Sequence, residues 1–238
     1  MKPSVFSLRF LGVGEAVDPR FANTSLLIQS EHRLLIDCGY SVPNALWAVM
    51  DDAEALEGIY LSHSHADHCF GLPALLLWMR LSGRRAPLDL FTGPGGSSWG
   101  ASLLESAFPG AFQPHKCFPL RWHELQPGVP QSWGELTLQV ARSAHSPENY
   151  ALRVDGAGKA LGYSGDGGPT PETHSLYTGV DWLVHECGSL DAPRSGHACL
   201  REVLALARDV GAGCLAVVHL AAAERSRAEL LDDGGWLR

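Results

Sequence analysis

Short apolar segments recur along the whole chain, and several alternate apolar with polar residues, as half-buried strands do. The pattern predicts strands at 5–10, 24–29, 33–37, 58–62, 88–92, 135–141, 150–154, 160–164, 181–186 and 214–220. Helical patterns lie between them, at 43–50, 69–82, 97–107, 197–210 and 224–232. Strands dominate the first and middle thirds. This order favours an αββα sandwich of the α+β class over a doubly wound parallel sheet.

The chain has 238 residues, with no internal repeat and no linker long enough to separate two folding units. We therefore expect a single domain over 1–238. The formal net charge of −8 excludes a global basic field that would attract nucleic acid, although a local basic groove is compatible with it.

The six cysteines form no CxxC pair and no compact framework, which predicts reduced thiols that pack in the interior. The first residues contain no apolar signal segment. The longest apolar run, around 71–79, is far short of the roughly 20 residues of a membrane span. These features predict a cytoplasmic protein outside the membrane.

Four candidate metal ligands fall within six residues of the segment SHSHADHCFG, directly after the predicted strand at 58–62: His63, His65, Asp67 and His68. A tight loop after a strand can turn such side chains toward one point. Imidazole and carboxylate suit zinc, manganese or iron rather than calcium. The spacing pairs His63 with His65 on one ion and Asp67 with His68 on a second. The alternative is a solvent-facing loop rich in histidine, which three histidines in six positions argue against.

Two metal ions need further ligands, and His145, Asp166 and His219 each follow an apolar strand. Ligands at the ends of several strands converge on one edge, where loops can shape a pocket. Taken singly, each residue could equally be structural. Together with the first four they complete a binuclear site in which Asp166 is the bridging carboxylate.

The segment HSHADH resembles the HxHxDH signature of the metallo-β-lactamase fold, and the resemblance runs from about residue 6 to about residue 220. It implies two divalent ions, zinc by default, with manganese or iron fitting the same ligands. By this resemblance His63, His65 and His145 hold one ion, Asp67, His68 and His219 hold the other, and Asp166 bridges them.

Other segments resemble the ribonuclease Z and phosphodiesterase branch of that fold, among them FLGVG at 10–14, DCG at 37–39 and GLPALL at 71–76. HEC at 185–187 and GHA at 196–198 are similar to segments whose glutamate and histidine act near the scissile phosphate. The resemblance implies that Glu186 orients His197 and that His197 stabilises the phosphoryl charge or the leaving oxygen. Alternatively, Glu186 caps a helix and His197 lies in its first turn.

One departure concerns the flexible basic arm that tRNA-processing members carry between the third ligand and the bridging aspartate. Here His145 and Asp166 are only 21 positions apart (166 − 145), and the predicted hairpin of 150–154 and 160–164 fills the interval. Together with the net charge of −8, this favours a small phosphodiester, such as a cyclic nucleotide or a short nucleotide ester, over tRNA.

The sequence thus predicts a binuclear metal-dependent phosphodiesterase in which Asp67 also accepts a proton from the attacking water. Asp37 would orient a ligand imidazole, although an ordinary turn aspartate explains it equally well. The alternatives are a ribonuclease Z-like RNA endonuclease, an acyl hydrolase for lactones or thioesters, and a non-catalytic binding module. A homodimer is implied by the resemblance alone.

Two further segments are candidates for anion binding. Arg80, Arg84 and Arg85 could form an anion-binding rim, or simply a solvated helix end. The segment PGGSS at 94–98 could cradle phosphate at the start of the following helix, or form a flexible turn with a serine N-cap.

Overall fold

The structure, a computed structural model, describes residues 6–229. These residues divide into two compact units. The first comprises 6–12 and 22–125, and the second comprises 13–21 and 126–229. Each unit contains one six-stranded mixed sheet together with helices.

The sheet of the first unit has its strands in chain order. They are β1 (Ser7–Gly12), β2 (Ser25–Gln29), β3 (Arg33–Ile36), β4 (Gly58–Leu61), β5 (Leu88–Thr92) and β6 (Leu120–Glu124). Strands β1 to β3 pair antiparallel, and β3 to β6 pair parallel. Parallel pairs require crossover connections. These contain α1 (Val42–Trp47), α2 (Ala66–Cys69), α3 (Leu72–Leu81) and α4 (Gly96–Ala107).

Apolar side chains of α3 and the parallel strands form the core of the first unit. Leu75, Leu76 and Met79 repeat at the spacing of one helix face and are fully buried in a cluster that includes Ile59 and Leu61 of β4. All four residues of β4 are buried, as expected for a parallel strand covered on both faces. The residues directly after β4 are therefore anchored by a well-packed strand.

The sheet of the second unit also follows chain order. Its strands are β7 (Gln131–Trp133), β8 (Leu136–Arg142), β9 (Tyr150–Gly156), β10 (Lys159–Tyr163), β11 (Trp182–Glu186) and β12 (Cys214–Val218). Strands β7 to β10 pair antiparallel, and β10 to β12 pair parallel. Its helices are α5 (Pro171–Leu176), α6 (Leu200–Asp209) and α7 (Ala222–Glu229).

Every predicted strand has a counterpart, and so does every predicted helix. The strand predicted at 5–10 begins at Ser7, and residue 5 lies outside the described residues. The helix predicted at 224–232 corresponds to α7, and 230–232 lie outside the described residues. All six cysteines are free, and the predicted packing in the interior is observed for the four that are buried.

Four short elements were not predicted, namely β6, β7, α2 and α5. Strand β6 reads LRWHE and β7 has only three residues, so neither shows an apolar run. Helix α5 reads PETHSL and begins through local hydrogen bonding. The Thr173 backbone N–H donates to the Thr170 hydroxyl oxygen at 3.1 Å, and the Thr170 N–H donates to the Thr173 hydroxyl oxygen at 2.9 Å. Elements this short are set by caps and turns rather than by periodicity.

Two predicted helices begin three residues late. The helix predicted at 69–82 is divided at Gly71, whose N–H donates to the Cys38 carbonyl oxygen at 2.8 Å, and α3 starts at Leu72. The helix predicted at 197–210 starts at Leu200, after the Cys199 N–H has donated to the Glu202 carboxylate at 3.0 Å. His197 therefore precedes α6, and its alternative placement in the first turn of a helix is wrong.

The interval between His145 and Asp166 is the predicted hairpin. Strands β9 and β10 pair antiparallel from Lys159↔Gly156 to Tyr163↔Leu152, and Ala157 and Gly158 form the turn with positive φ. The interval therefore holds no extended arm. No helix among residues 6–229 has the length and apolar character needed to span a membrane.

Candidate metal centre

In the first unit, the four clustered ligand candidates follow the carboxyl end of β4. His63 and His65 lie in the loop, while Asp67 and His68 lie in the short helix α2. His63, Asp67 and His68 are buried, and His65 is half-buried. The solvent-facing loop considered as an alternative is therefore wrong.

These four side chains lie close together, and their predicted division between two ions stays a prediction. His63 Nε2 lies 3.1 Å from His65 Nδ1, and His68 Nε2 lies 3.3 Å from Asp67 Oδ2. The rings of His63 and His68 have centroids 4.3 Å apart, so the two pairs are adjacent. Imidazole and carboxylate donors gathered in this way suit zinc, manganese or iron.

Asp37 fixes the orientation of His68. It follows β3, the parallel neighbour of β4, and is fully buried. Its Oδ2 accepts a hydrogen bond from the Nδ1–H of His68 at 2.7 Å, and its Oδ1 accepts the backbone N–H of Ser62 at 2.8 Å. A ligand histidine commonly donates its second ring N–H to a carboxylate in this way, so that the other nitrogen is presented to the metal. The orienting role predicted for Asp37 fits this geometry better than that of an ordinary turn residue.

Replacing Asp37 with asparagine is expected to weaken metal binding by about 10–100-fold, because the imidazole loses a charged hydrogen-bond acceptor. Competition with a chromogenic chelator measures this affinity. Asp89→Asn is the matched control, since Asp89 Oδ1 also lies 2.7 Å from a histidine, but in a partly exposed pair with His123. Unchanged affinity in the Asp37 variant would contradict the assignment.

Gly39, in the DCG segment, has a steric role beside these residues. A Cβ atom at this position would lie 1.9 Å from the backbone oxygen of Asp67 and 2.8 Å from the Cβ of Asn23. Because only glycine permits this approach, the segment after β3 can pack directly against α2.

In the second unit, the candidate residues lie at the carboxyl ends of strands. Asp166 follows β10, Glu186 ends β11 and His219 follows β12. These three strands are parallel neighbours, so their carboxyl ends share one edge of the sheet. His145 follows β8.

The two carboxylate oxygens of Asp166 face different histidines. Oδ1 lies 3.6 Å from Nε2 of His219, and Oδ2 lies 3.9 Å from Nε2 of His145. All three side chains are more than nine-tenths buried. A carboxylate that bridges two metal ions must direct one oxygen to each ion, and the two oxygens of Asp166 are directed to two different imidazoles.

Backbone and amide groups hold these three residues in place. The Nδ1–H of His145 donates to the Gly196 carbonyl oxygen at 2.8 Å. His219 has a left-handed backbone with φ of 58°, and its N–H donates to the Val13 carbonyl oxygen at 3.0 Å. Left-handed conformations of non-glycine residues are costly and are concentrated at functional sites.

Asn149 is a positioning residue that sequence reasoning missed. It is fully buried, accepts the backbone N–H of Asp166 at 3.1 Å and donates to the carbonyl oxygen of Ser164 at 2.7 Å. It thereby fixes the loop that carries Asp166. Its position immediately before an apolar strand was the available signal, because a polar residue there is buried only with its hydrogen bonds satisfied.

Glu186 is fully buried and links three segments of the second unit. Its Oε1 accepts the backbone N–H of Gly167 at 2.9 Å and of Ala198 at 3.0 Å, and lies 3.2 Å from Nδ1 of His197. The preceding His185 is also buried, and burial lowers its pKa. It donates its Nδ1–H to the Glu186 carbonyl oxygen at 2.8 Å. Glu186 therefore meets His197, as predicted, but does not cap a helix.

His197 lies beside two of the predicted ligands. Its ring stacks on His219 with centroids 5.9 Å apart and meets the edge of His145 at 5.1 Å. The side chain is 27% exposed, so solvent reaches it. Ligand atoms of Glu186, His197 and His219 all lie within 4.8 Å of one another, so this trio is itself a possible metal-binding group.

The donor sets of both units fit divalent metal ions. In each unit, buried imidazole nitrogens lie close to another imidazole or to a carboxylate oxygen, and His68 and His145 both direct Nδ1–H to an acceptor. Buried lone-pair atoms of this kind, the imidazole nitrogens and carboxylate oxygens, are stabilised by a bound cation. Imidazole with carboxylate and no thiolate suits zinc, manganese or iron.

Neither interpretation of Arg84 holds. The side chain is buried, and its guanidinium donates to the backbone carbonyl oxygens of Ala53, Leu56, Ala86 and Pro87 at 2.6–2.9 Å. Burial also lowers its pKa. Arg84 therefore stabilises the backbone around it, and it belongs neither to an anion-binding rim nor to a solvated helix end.

The predicted phosphate cradle at 94–98 already holds a carboxylate. Glu124 Oε1 accepts the backbone N–H of Ser97 at 3.1 Å and the Ser97 hydroxyl at 2.5 Å. The hydroxyl hydrogen bond holds the pKa of Glu124 below its usual value. The N-cap of α4 is Gly95 with φ of 79°, not a serine. At the start of α4 the Ser97 N–H is therefore already bound by a carboxylate of the protein itself, at the place where the phosphate was predicted to bind.

Comparison with known proteins places the chain among metal-dependent hydrolases of the metallo-β-lactamase fold. The structure aligns with the metallo-β-lactamase fold protein YhfI of Bacillus subtilis at a TM-score of 0.80, with 22% identity and coverage of 97% of this chain and 95% of that one. It aligns with the short form of human tRNase Z at a TM-score of 0.77, with 21% identity and coverage of 92% and 93%. These likenesses confirm the predicted fold class.

The chain belongs to the family described as anti-Pycsar protein Apyc1, whose model matches residues 6–229. It is also similar to ribonuclease BN of Escherichia coli O139:H28, with 30% identity over 273 aligned positions that cover 90% of this chain and 88% of the relative. The predicted resemblance to the ribonuclease Z branch is thereby confirmed.

Proposed function

We propose that the protein is a binuclear metal-dependent phosphodiesterase acting on a small phosphodiester, such as a cyclic nucleotide or a short nucleotide ester. The pairing of Glu186 with His197 carries this proposal. The predicted ligand set is complete without either residue, yet the carboxylate of the fully buried Glu186 lies 3.2 Å from a partly exposed imidazole that is beside two predicted ligands. Phosphoryl transfer needs such a group, since negative charge grows on the phosphoryl and leaving oxygens.

In this proposal His63, His65 and His145 would hold one ion and Asp67, His68 and His219 the second, with Asp166 as the carboxylate that both ions would share. When bound, the ions supply an activated water and charge stabilisation at the phosphoryl group. Zinc is the default for these donors, and manganese or iron suits the same ligands. The Nδ1–H bonds of His68 and His145 support the proposal, because they assign Nε2 of each ring to the ligand role.

Asp67, Glu186 and His197 carry the proton chemistry. Asp67 lies in the ligand segment with its side chain 8% exposed, where its carboxylate can accept a proton from the attacking water. The Glu186 carboxylate lies 3.2 Å from Nδ1 of His197, where its negative charge favours a proton on that nitrogen. His197 then stabilises the phosphoryl oxygen or donates a proton to the leaving oxygen.

The short interval between His145 and Asp166 supports a small substrate. Strands β9 and β10 fill it as a tight hairpin, and the net charge of −8 offers no overall attraction for RNA. The second candidate is a ribonuclease Z-like RNA endonuclease, which the similarity to ribonuclease BN favours. An acyl hydrolase has no evident use for the Glu186–His197 pair, and a binding module would not need the complete ligand set.

A comparison of substrates by one metal-reconstituted preparation tests the proposal. We expect kcat/KM for a 3′,5′-cyclic nucleotide to exceed that for a precursor tRNA and for a lactone or thioester. Faster processing of the precursor tRNA would establish the RNA endonuclease instead. Turnover of the acyl substrates alone would overturn both.

A further inference from the structure

Arg225, in helix α7, binds two backbone carbonyl groups next to His219. Its Nη2 donates to the carbonyl oxygen of Leu220 at 2.9 Å and to that of Val13 at 3.2 Å. The Val13 oxygen also accepts the backbone N–H of His219 at 3.0 Å. One guanidinium thus fixes both the carbonyl group of the residue after His219 and the carbonyl group to which His219 donates.

A buried ion pair and an aromatic ring hold this guanidinium in place. Nη1 of Arg225 donates to Oδ2 of Asp18 at 2.5 Å, and the two side chains are 12% and 0% exposed. Oδ1 of Asp18 accepts the backbone N–H groups of Arg20 and Phe21 at 2.8 and 3.1 Å. The guanidinium carbon lies 4.6 Å from the centroid of the Phe21 ring. The planar fork of arginine donors makes these contacts at the same time, which a lysine ammonium cannot do.

The segment 13–21, which contains Val13 and Asp18, belongs to the second unit. Its neighbours in sequence, 6–12 and 22–125, belong to the first. The acceptor for the His219 N–H is therefore supplied from the far end of the chain. Arg225 joins this segment to α7, the helix that begins shortly after His219.

His219 needs such support because of its backbone conformation. Its φ of 58° is left-handed, and a residue with a Cβ atom adopts this conformation only where the surrounding structure enforces it. The same backbone directs the imidazole so that Nε2 lies 3.6 Å from Oδ1 of Asp166. A change of φ at His219 would turn the ring away from that carboxylate.

We propose that Arg225 is a positioning residue that enforces the left-handed backbone of His219 and so presents its imidazole for metal binding. This inference rests on the part of the proposed function that makes His219 a metal ligand. A ligand that is already oriented binds more tightly, because no ordering of the chain opposes binding. Asp18 and Phe21 take part by holding the guanidinium.

Competition with a chromogenic chelator measures the affinity of the full chain for each of two Zn²⁺ ions. In Arg225→Lys we expect the affinity for one ion to fall about tenfold and that for the other to change less than about twofold. The lysine keeps a positive charge beside Asp18 but cannot contact both carbonyl groups. Arg227→Lys is the matched control, because Arg227 lies in the same helix and pairs with Asp191 at 2.9 Å, but is 54% exposed. Both affinities should stay unchanged in that variant.

A double variant separates positioning from folding. Asp18→Asn combined with Arg225→Met removes the buried ion pair as a whole, so that no unpaired buried charge destabilises the protein. We expect the same selective loss of affinity, with the midpoint of thermal unfolding close to that of the wild-type protein. The visible spectrum of the Co²⁺-loaded double variant should also change, because it depends on the geometry of the ligands.

The outcomes distinguish this inference from the proposed function. Unchanged affinities in both Arg225 variants would overturn the positioning role and leave the phosphodiesterase standing. Equal loss of both ions, with a lower unfolding midpoint, would make Arg225 a general structural residue and overturn the positioning role as well. Selective loss of one ion in a protein that hydrolyses no phosphodiester would support the positioning role and overturn the proposed function. Failure of the wild-type protein to bind metal would overturn both.

Discussion

Replacing Asp166 with alanine is expected to abolish metal-dependent hydrolysis and to lower the number of bound metal ions per chain. Its two oxygens face His219 and His145 at 3.6 and 3.9 Å, so one side chain serves both imidazoles. Loss of a metal ion removes several kcal/mol of transition-state stabilisation. Since 1.36 kcal/mol corresponds to a tenfold change in rate, the activity should fall by at least about 10³-fold.

Metal analysis and initial rates together test this expectation. Asp166→Asn, which keeps the shape of the side chain, should show the same losses and guards against a folding defect. Asp155→Ala is the control, because Asp155 is a partly exposed carboxylate in the same unit that pairs with Arg153. A variant that retained its metal content and full rate would refute the bridging role of Asp166.

Glu186→Gln and His197→Ala are each expected to lower kcat by about 10²–10³-fold while metal content stays unchanged. This magnitude is typical for loss of one group that stabilises developing charge in the transition state. The glutamine keeps an oxygen for the N–H groups of Gly167 and Ala198 but removes the negative charge beside His197. The defect should therefore reflect the pair rather than the surrounding loops.

The control for this pair is His32→Ala. His32 also forms an imidazole–carboxylate pair, with Glu57 at 2.9 Å in the first unit, and both side chains are partly exposed. Loss of metal from the His197 variant would instead make His197 a ligand, as its grouping with Glu186 and His219 allows. Unchanged kcat in both variants would remove the observation on which the phosphodiesterase assignment depends.

The sequence predicts the strands well because buried parallel strands are continuous apolar runs. Strand β4 is buried at every position, so its sequence is a continuous apolar run that predicts a strand. Strand β6 lies at the edge of the sheet and contains polar residues, so its sequence predicts none. Helix ends are harder to predict, since they depend on single hydrogen bonds. The contact of Gly71 with Cys38 and the capping contact of Cys199 with Glu202 each move a helix start by three residues.

The candidate ligands were readable because their chemistry is concentrated, with four donors in the six residues from His63 to His68. The groups that hydrogen-bond to these ligands could be predicted only in part. The sequence predicts a role for Asp37, but the carbonyl of Gly196 carries no side-chain signal, and Asn149 offers only its position before an apolar strand. For Arg84 the sequence misleads in the other direction. A charged residue near the ligand motif suggests a functional role, but its guanidinium N–H groups donate to four backbone carbonyl oxygens.

Metal-dependent hydrolysis of a cyclic nucleotide is the most direct test of the central claim. The initial rate is measured on one chelator-stripped preparation before and after reconstitution with zinc or manganese, with His65→Ala treated in parallel. We predict no turnover by the stripped protein, restored turnover by the reconstituted protein and none by the variant. Equal turnover with and without metal, or none under any of these conditions while a lactone or thioester is hydrolysed, would contradict the assignment.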